Sequence, residues 1–313
     1  PAPRDEQTVH TTGSPLAGSD AGAWCPYGTI VDLPTDQRAE DGRALSFTTE
    51  PLADRLEILG SPTALLRVTA DRPLALVAVR LCDVAPDGHS LLVSRGLLNL
   101  CHRNGHASPT LMPVDDPTTV TVPLAFAGHA FAPGHRIRLS VSPSYWPFAW
   151  PSPQPVTLGL ILGADTRLEL PVRPPDDADA PSSPFTKPEL TAPPASHVDD
   201  DHWRKLGRDI ATGEITLEVG GSERTTLIHT GLEFGKSVST RFSLREADPL
   251  SASVHHRGTH FLQREHWRVA IHVQTTLSAT ATTFLITSEI NAYEGNIRVH
   301  SRHSSIELPR DHV

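Results

Sequence analysis

Residues 118–127, TTVTVPLAFA, and residues 136–142, RIRLSVS, decide the fold class. In the first stretch Val120, Val122, Leu124 and Phe126 fall on one face of an extended chain; in the second, Ile137, Leu139 and Val141 oppose Arg136, Arg138 and Ser140. Successive side chains of a strand point to opposite faces, so this period of two predicts strands with one dry and one wet face. The same period extends outward through Ala64, Leu66, Val68 and Ala70, then through 74–84, 89–102 and 156–162, with short strands at 40–48 and 166–170. About eight such strands suit an antiparallel sandwich whose two sheets bury their dry faces together. Pro86-Asp87-Gly88 and Pro133-Gly134 supply tight turns, and 51–56 is the one segment that reads as a helical turn.

Composition agrees with an all-β reading. The 313 residues include 29 Pro and 21 Gly, which cost about 3 and about 1 kcal/mol each inside a helix. The charge balance of 27 basic against 36 acidic residues, net -9, leaves no basic field able to neutralise a run of phosphates, so nucleic acid is not an expected partner. The longest uninterrupted apolar run, 74–79, is far shorter than the roughly 18 residues a membrane helix needs, so no membrane partner is expected either. Cys25, Cys82 and Cys101 are odd in number and lack metal-ligand spacing, which argues against a disulfide framework and for a reducing, cytoplasmic compartment. Met112 is the only methionine, so Pro1 is not expected to be the start of translation.

Residues 171–202, PVRPPDDADAPSSPFTKPELTAPPASHVDDDH, carry no apolar period and read as a solvated, semi-rigid linker. The expected organisation is an extended N-terminal segment at 1–39, a sandwich at 40–172, a linker at 173–202 and a second antiparallel β region at 203–313. Within that region 214–219, 224–230, 238–245, 267–276, 282–290 and 297–308 read as strands of a meander. Gly220-Gly221 is read as a hairpin turn between the first two.

No nucleophile elbow G-x-S-x-G occurs; the nearest stretch, Gly18-Ser19-Asp20-Ala21-Gly22, has serine one place early and no helix after it. No catalytic residue is therefore assigned. His255, His256, His260 and His266 have neither helical H-E-x-x-H spacing nor a completing ligand and read as surface histidines, so no metal and no cofactor is expected. Cys82 and Cys101 read as small buried hydrophobes, and Asp83, Asp87, Asn99 and His102 as structural residues. The candidate site is the proline-stiffened aromatic loop with Tyr145, Trp146, Phe148 and Trp150, which suits docking of a neighbouring domain, packing on its own core, or stacking on a ligand. Arg136 and Arg138, alternating with Ile137 and Leu139, place guanidinium groups on the face away from the core, where they either pair with carboxylates of a neighbouring domain or form a solvated strand face.

Several ordered motifs then resemble a known family. They are Ser46 to Leu52, Glu57 to Pro62, Val79 to Gly88, Arg95 to Arg103, Gly134 to Ser140, and the loop from Trp146-Pro147 to Trp150-Pro151. Together they are similar to the C-terminal jelly-roll domain of the X-Pro dipeptidyl-peptidase and CocE/NonD acyl hydrolases. Asp248-Pro249-Leu250-Ser251-Ala252, Arg264-Glu265-His266-Trp267, Ala292-Tyr293-Glu294-Gly295 and Pro309-Arg310-Asp311 resemble the tail of longer members. The resemblance implies a galactose-binding-domain-like jelly roll that supports an α/β-hydrolase catalytic domain of the same parent protein and its active-site entrance. The Ser, Asp and His of such an enzyme lie upstream of this chain, and a homo-oligomer is compatible with it. The rival readings are a stand-alone carbohydrate-binding module, with Trp146 and Trp150 stacking on sugar rings, and a metal enzyme using the His255 to His266 group.

Overall fold

The computed structural model describes residues 6–26, 30–174, 186, 187, 189 and 192–313. In chain order the first part contains β1 (Gln7–Thr11), a four-residue helix α1 (Arg38–Asp41), β2 (Leu45–Thr48), β3 (Leu56–Gly60), β4 (Thr63–Ala70), β5 (Leu76–Val84), β6 (Ser90–Asn99), β7 (Thr118–Pro123), β8 (Ala127–Phe131), β9 (Arg136–Ser142), β10 (Leu158–Leu162) and β11 (Arg167–Glu169). The second part is β12 (Ser196–Arg208), β13 (Glu214–Leu227), β14 (Leu232–Arg245), β15 (Asp248–Arg264), β16 (Trp267–Ala279), β17 (Thr283–Glu294) and β18 (Ile297–Pro309). All the paired strands run antiparallel.

The first part is a β-sandwich. One sheet runs β1-β10-β4-β11 with β7 on the far edge of β4, the other runs β2-β9-β5-β6, and β3-β8 forms a two-stranded ribbon. β4 alternates half-buried and buried residues, as its period of two requires. Ala64, Leu66 and Val68 meet Val77, Val79, Leu81 and Val141 of the opposite sheet in one core that also takes Val120, Val122, Phe131, Leu158 and Leu160. The turns at Gly88 (φ 87°) and Gly134 (φ 81°) use the left-handed backbone that glycine adopts without strain.

Four sandwich expectations change. β5 is buried along both faces: Val77, Val79 and Leu81 face the core, while Arg80 and Cys82 lie under the segment that carries α1. That segment is not merely extended, for β1 pairs with β10 and α1 is stapled to the sheet. Asp41 Oδ1 forms an ion pair with Arg80 (3.1 Å) and accepts a hydrogen bond from Ser140 (3.1 Å), and Oδ2 accepts from Arg138 (2.8 Å) and Ser90 (2.8 Å). Phe126 does not reach the dry face and is 87% exposed; β7 stops at Pro123, which has no N–H to continue the ladder. The helical turn lies at Arg38–Asp41 rather than at 51–56, where Leu56 opens β3.

The second part is a single seven-stranded sheet in the order β12-β13-β14-β15-β16-β17-β18, each strand joined to the next by a hairpin. β12 begins at Ser196, inside the stretch read as linker, because His197 to Trp203 pair with Gly220 to Thr226. β13 runs through Gly220-Gly221 without turning. A Cβ on Gly220 would collide with the Trp203 ring, and one on Gly221 would lie 2.5 Å from His202 Nδ1, so these glycines serve a close cross-strand approach. β15 occupies 248–264, where no strand is expected from periodicity. The turns between β15 and β16 and between β17 and β18 sit at Glu265-His266 and Gly295-Asn296, in two of the stretches that carry the family resemblance. Among the described residues no helix is long and apolar enough to cross a membrane.

Candidate docking site

The aromatic loop leaves the end of β9 and folds into a turn closed by Ala149 N–H donating to Tyr145 O (2.9 Å). The turn sends its rings in two directions. Tyr145 packs with Ala21, Leu76 and Ala78, and Phe148 lies against this cluster. The Arg95 guanidinium, 8% exposed, lies between two rings, with Cζ 4.7 Å from the Trp24 centroid and 4.6 Å from that of Phe148. It also donates to Ala21 O (2.7 Å) and Ala23 O (2.6 Å). A cation held face-on by aromatic rings and bonded to carbonyls is fully used by its own fold. Burial pushes the Tyr145 phenol up to about 12 against the opposing pull of Arg95 and Arg80.

Trp146 and Trp150 point the other way, into the second sheet. Trp146 forms a buried cluster with Leu244 of β14 and Ala252 of β15, against which Trp150, Phe242 and Val254 pack. The rings meet edge to face: Trp146 to Trp150 at 5.3 Å, Trp146 to Phe242 at 6.1 Å and Trp150 to Phe284 at 5.6 Å between centroids. The chain terminus closes over this contact. Arg310, 3% exposed, donates to Pro151 O (2.7 Å), Thr280 O (3.1 Å) and Val313 O (3.1 Å), with Cζ 5.0 Å from the Phe284 centroid. Burial lowers its pKa. Asn99 accepts from Cys101 N–H (2.9 Å) and donates to His312 O (2.6 Å), so one amide ties the end of β6 to the end of the chain.

The two strand arginines bond inside the sandwich. Arg138 donates to Asp41 and to Thr48 Oγ1 (2.8 Å), and Arg136 donates to Thr49 O (2.9 Å) beside Glu50 (3.6 Å). Asp83, buried, receives His129 Nε2 and His135 Nδ1 on its two oxygens, each at 2.8 Å. His255 and His256 are consecutive on β15 and so face opposite sides of the sheet; His256 meets Thr240 at 2.9 Å. Among the described residues no group of three or more His, Cys, Asp or Glu is placed to hold a metal ion. Cys82 and Cys101 are buried and unpaired, and burial pushes the Cys82 thiol up to about 12. Sequence reasoning singled out the loop but gave no role to Arg95, Phe242, Leu244, Phe284 or Arg310. The only signals were indirect: Arg95 and Arg310 both stand in motifs that carry the family resemblance.

The comparisons with known proteins each match part of the chain. The chain is 32% identical over 116 residues to the cocaine esterase of Rhodococcus sp. (strain MB1 Bresler), a match over 36% of this chain and 20% of that protein. Among solved structures, an alpha-amino acid ester hydrolase is similar with a TM-score of 0.46 and 24% identity, over 54% of this chain and 32% of that one. An aminopeptidase from a marine sediment Thaumarchaeota archaeon is similar with a TM-score of 0.47 and 22% identity, over 55% and 34%. The chain thus spans about a fifth of the curated relative and about a third of the solved ones. The family model for the X-Pro dipeptidyl-peptidase C-terminal non-catalytic domain matches residues 4–177, more than half of the chain, and the chain belongs to that family.

Proposed function

We propose that this chain is the C-terminal, non-catalytic portion of a serine acyl hydrolase of the CocE/NonD type, where it buttresses the α/β-hydrolase domain and helps wall its active-site entrance. The family match over residues 4–177 carries this reading. The esterase relative favours an ester over an X-Pro peptide as the parent's substrate class. Serine activation, acyl-enzyme formation and oxyanion stabilisation belong to the catalytic domain. The role of the aromatic loop within this reading is internal docking: Trp146 and Trp150 join the sandwich to the second sheet so that both present one rigid body to the enzyme. Three unpaired cysteines support a reducing, cytoplasmic setting. A carbohydrate-binding module is disfavoured because Trp146 is 3% exposed and the partly buried Trp150 packs edge to face on Trp146 and Phe284.

The test is hydrolysis of p-nitrophenyl esters by the 313-residue chain and by the parent chain that contains it. The expected result is turnover by the parent alone. Turnover by the short chain that persists through purification to homogeneity overturns the non-catalytic assignment.

A further inference from the structure

The face of the second sheet that receives Trp146 and Trp150 continues well past them. Residues paired across the strands share a face, so the side that carries Phe242, Val254 and Phe284 also carries Phe234, Leu262, Val269, Ile271, Val273 and Ile290. On β16 Val269, Ile271, Val273 and Leu277 alternate with Arg268, His272, Gln274 and Thr276, broken only by Ala270 on the second side and Thr275 on the first. Strands of 12 to 17 residues reach far beyond the few positions that the aromatic loop covers. At the far end this face stays open, with Ile271 46% and Leu262 44% exposed. A period-two apolar face is what a strand carries when another layer covers it.

A second copy is blocked as that layer in one of its two symmetric arrangements. In aligned sheet packing, a two-fold axis along the strands superposes the same ends, and each copy's sheet would meet the sandwich already seated on its partner at Phe242 and Leu244. A two-fold across the strands separates the sandwiches but lays the β12 edge on itself and the β18 edge on itself. By register Asp200 of β12 aligns with His300 of β18, and Arg302 with His202 of β12, two residues further along the strands, so such an axis sets at most one of them against its own copy, and the mass in solution decides this arrangement. The open area is continuous with the contact that already holds the sheet to the family domain. A partner bound there therefore touches sandwich and sheet together.

We infer that the far half of this face is the docking surface for the parent's catalytic hydrolase domain, an inference that rests on the reading proposed above. The complementary surface is apolar opposite Leu262, Val269 and Ile271, polar where it meets Asp200, the Glu223–Lys236 ion pair (3.2 Å) and His260 on the register row of Ile271, and acidic where it meets Arg302.

The experiment places a single cysteine on this face by Ile271→Cys, in a Cys25→Ser background, in both the parent chain and the 313-residue chain. Leu262→Cys is a second probe should Ile271→Cys fail to fold, and Gln274→Cys reports the opposite face. Maleimide labelling of Ile271→Cys is expected to slow at least tenfold in the parent relative to the short chain, with Gln274→Cys labelled equally in both. Equal labelling of Ile271→Cys in a parent that retains ester hydrolysis overturns the inference and leaves the functional reading standing. Protection already present in the short chain, at the mass of a dimer by light scattering, assigns the face to a second copy and also overturns it. A parent without ester hydrolysis refutes the functional reading and with it the named occupant.

Discussion

Trp146→Ala tests whether the aromatic loop is the peg between sandwich and sheet. A buried indole removes up to about 250 Å² from water, worth roughly 6 kcal/mol at about 25 cal/mol per Å². Among the described residues Trp146 Nε1 is buried with no hydrogen-bond partner, which offsets about 1–3 kcal/mol of that gain. The expected loss is therefore about 3–5 kcal/mol, the range seen when large aromatic side chains are truncated in cores. Because 1.4 kcal/mol is a factor of ten, local opening rises by about two to three and a half orders of magnitude. Amide hydrogen exchange locates the effect. Trp146 packs on Leu244 and Ala252, so protection should fall across 242–254 of β14 and β15 and around Phe284, while β4 and β5 keep theirs. Protection lost instead around Ala21, Leu76 and Ala78, the cluster of Tyr145, with β14 and β15 unchanged, would refute the reasoning and return Trp146 to the sandwich core.

Arg95→Lys removes the planar group stacked between Trp24 and Phe148 and loses at least one of two carbonyl bonds. It should cost about 1–3 kcal/mol, read as a lower urea midpoint; an unchanged midpoint contradicts the stacking argument. Since Cys25 is exposed while Cys82 and Cys101 are buried, a thiol-reactive disulfide reagent at pH 8 should label Cys25 in the folded chain and the other two only in denaturant; rapid native labelling of Cys82 contradicts its thiol standing at about 12. Tyr145 ionises in the unfolded chain near 10 and in the folded one at about 12. Its contribution is present below pH 10 and lost as pH rises through 12, so Tyr145→Phe should remove about 2–3 kcal/mol of alkaline destabilisation over that window. A urea series across pH 9 to 12 that gives identical slopes for both proteins contradicts it.

Local pattern sufficed for the sandwich strands, because a period of two in Val120-Val122 and Ile137-Leu139-Val141 follows from backbone geometry alone. It failed where partners far along the chain intervene. β5 is buried on both faces because α1 lies over it, and Asp41 meets Arg80, Ser90, Arg138 and Ser140 from three strands, which no spacing reveals. Gly220-Gly221 has the composition of a turn yet lies mid-strand because Trp203 and His202 fill the space of a Cβ. The aromatic loop was visible as a rigid cluster. Which way each ring turns, Tyr145 and Phe148 inward and Trp146 and Trp150 toward β14, β15 and β17, was set by the second sheet. The sequence by itself determined an all-β chain with a family signature in its sandwich, since strand period and turn chemistry are local. Only the tertiary structure decided that one face of the second sheet is half covered by the aromatic loop and half open, since burial depends on what else the fold brings near.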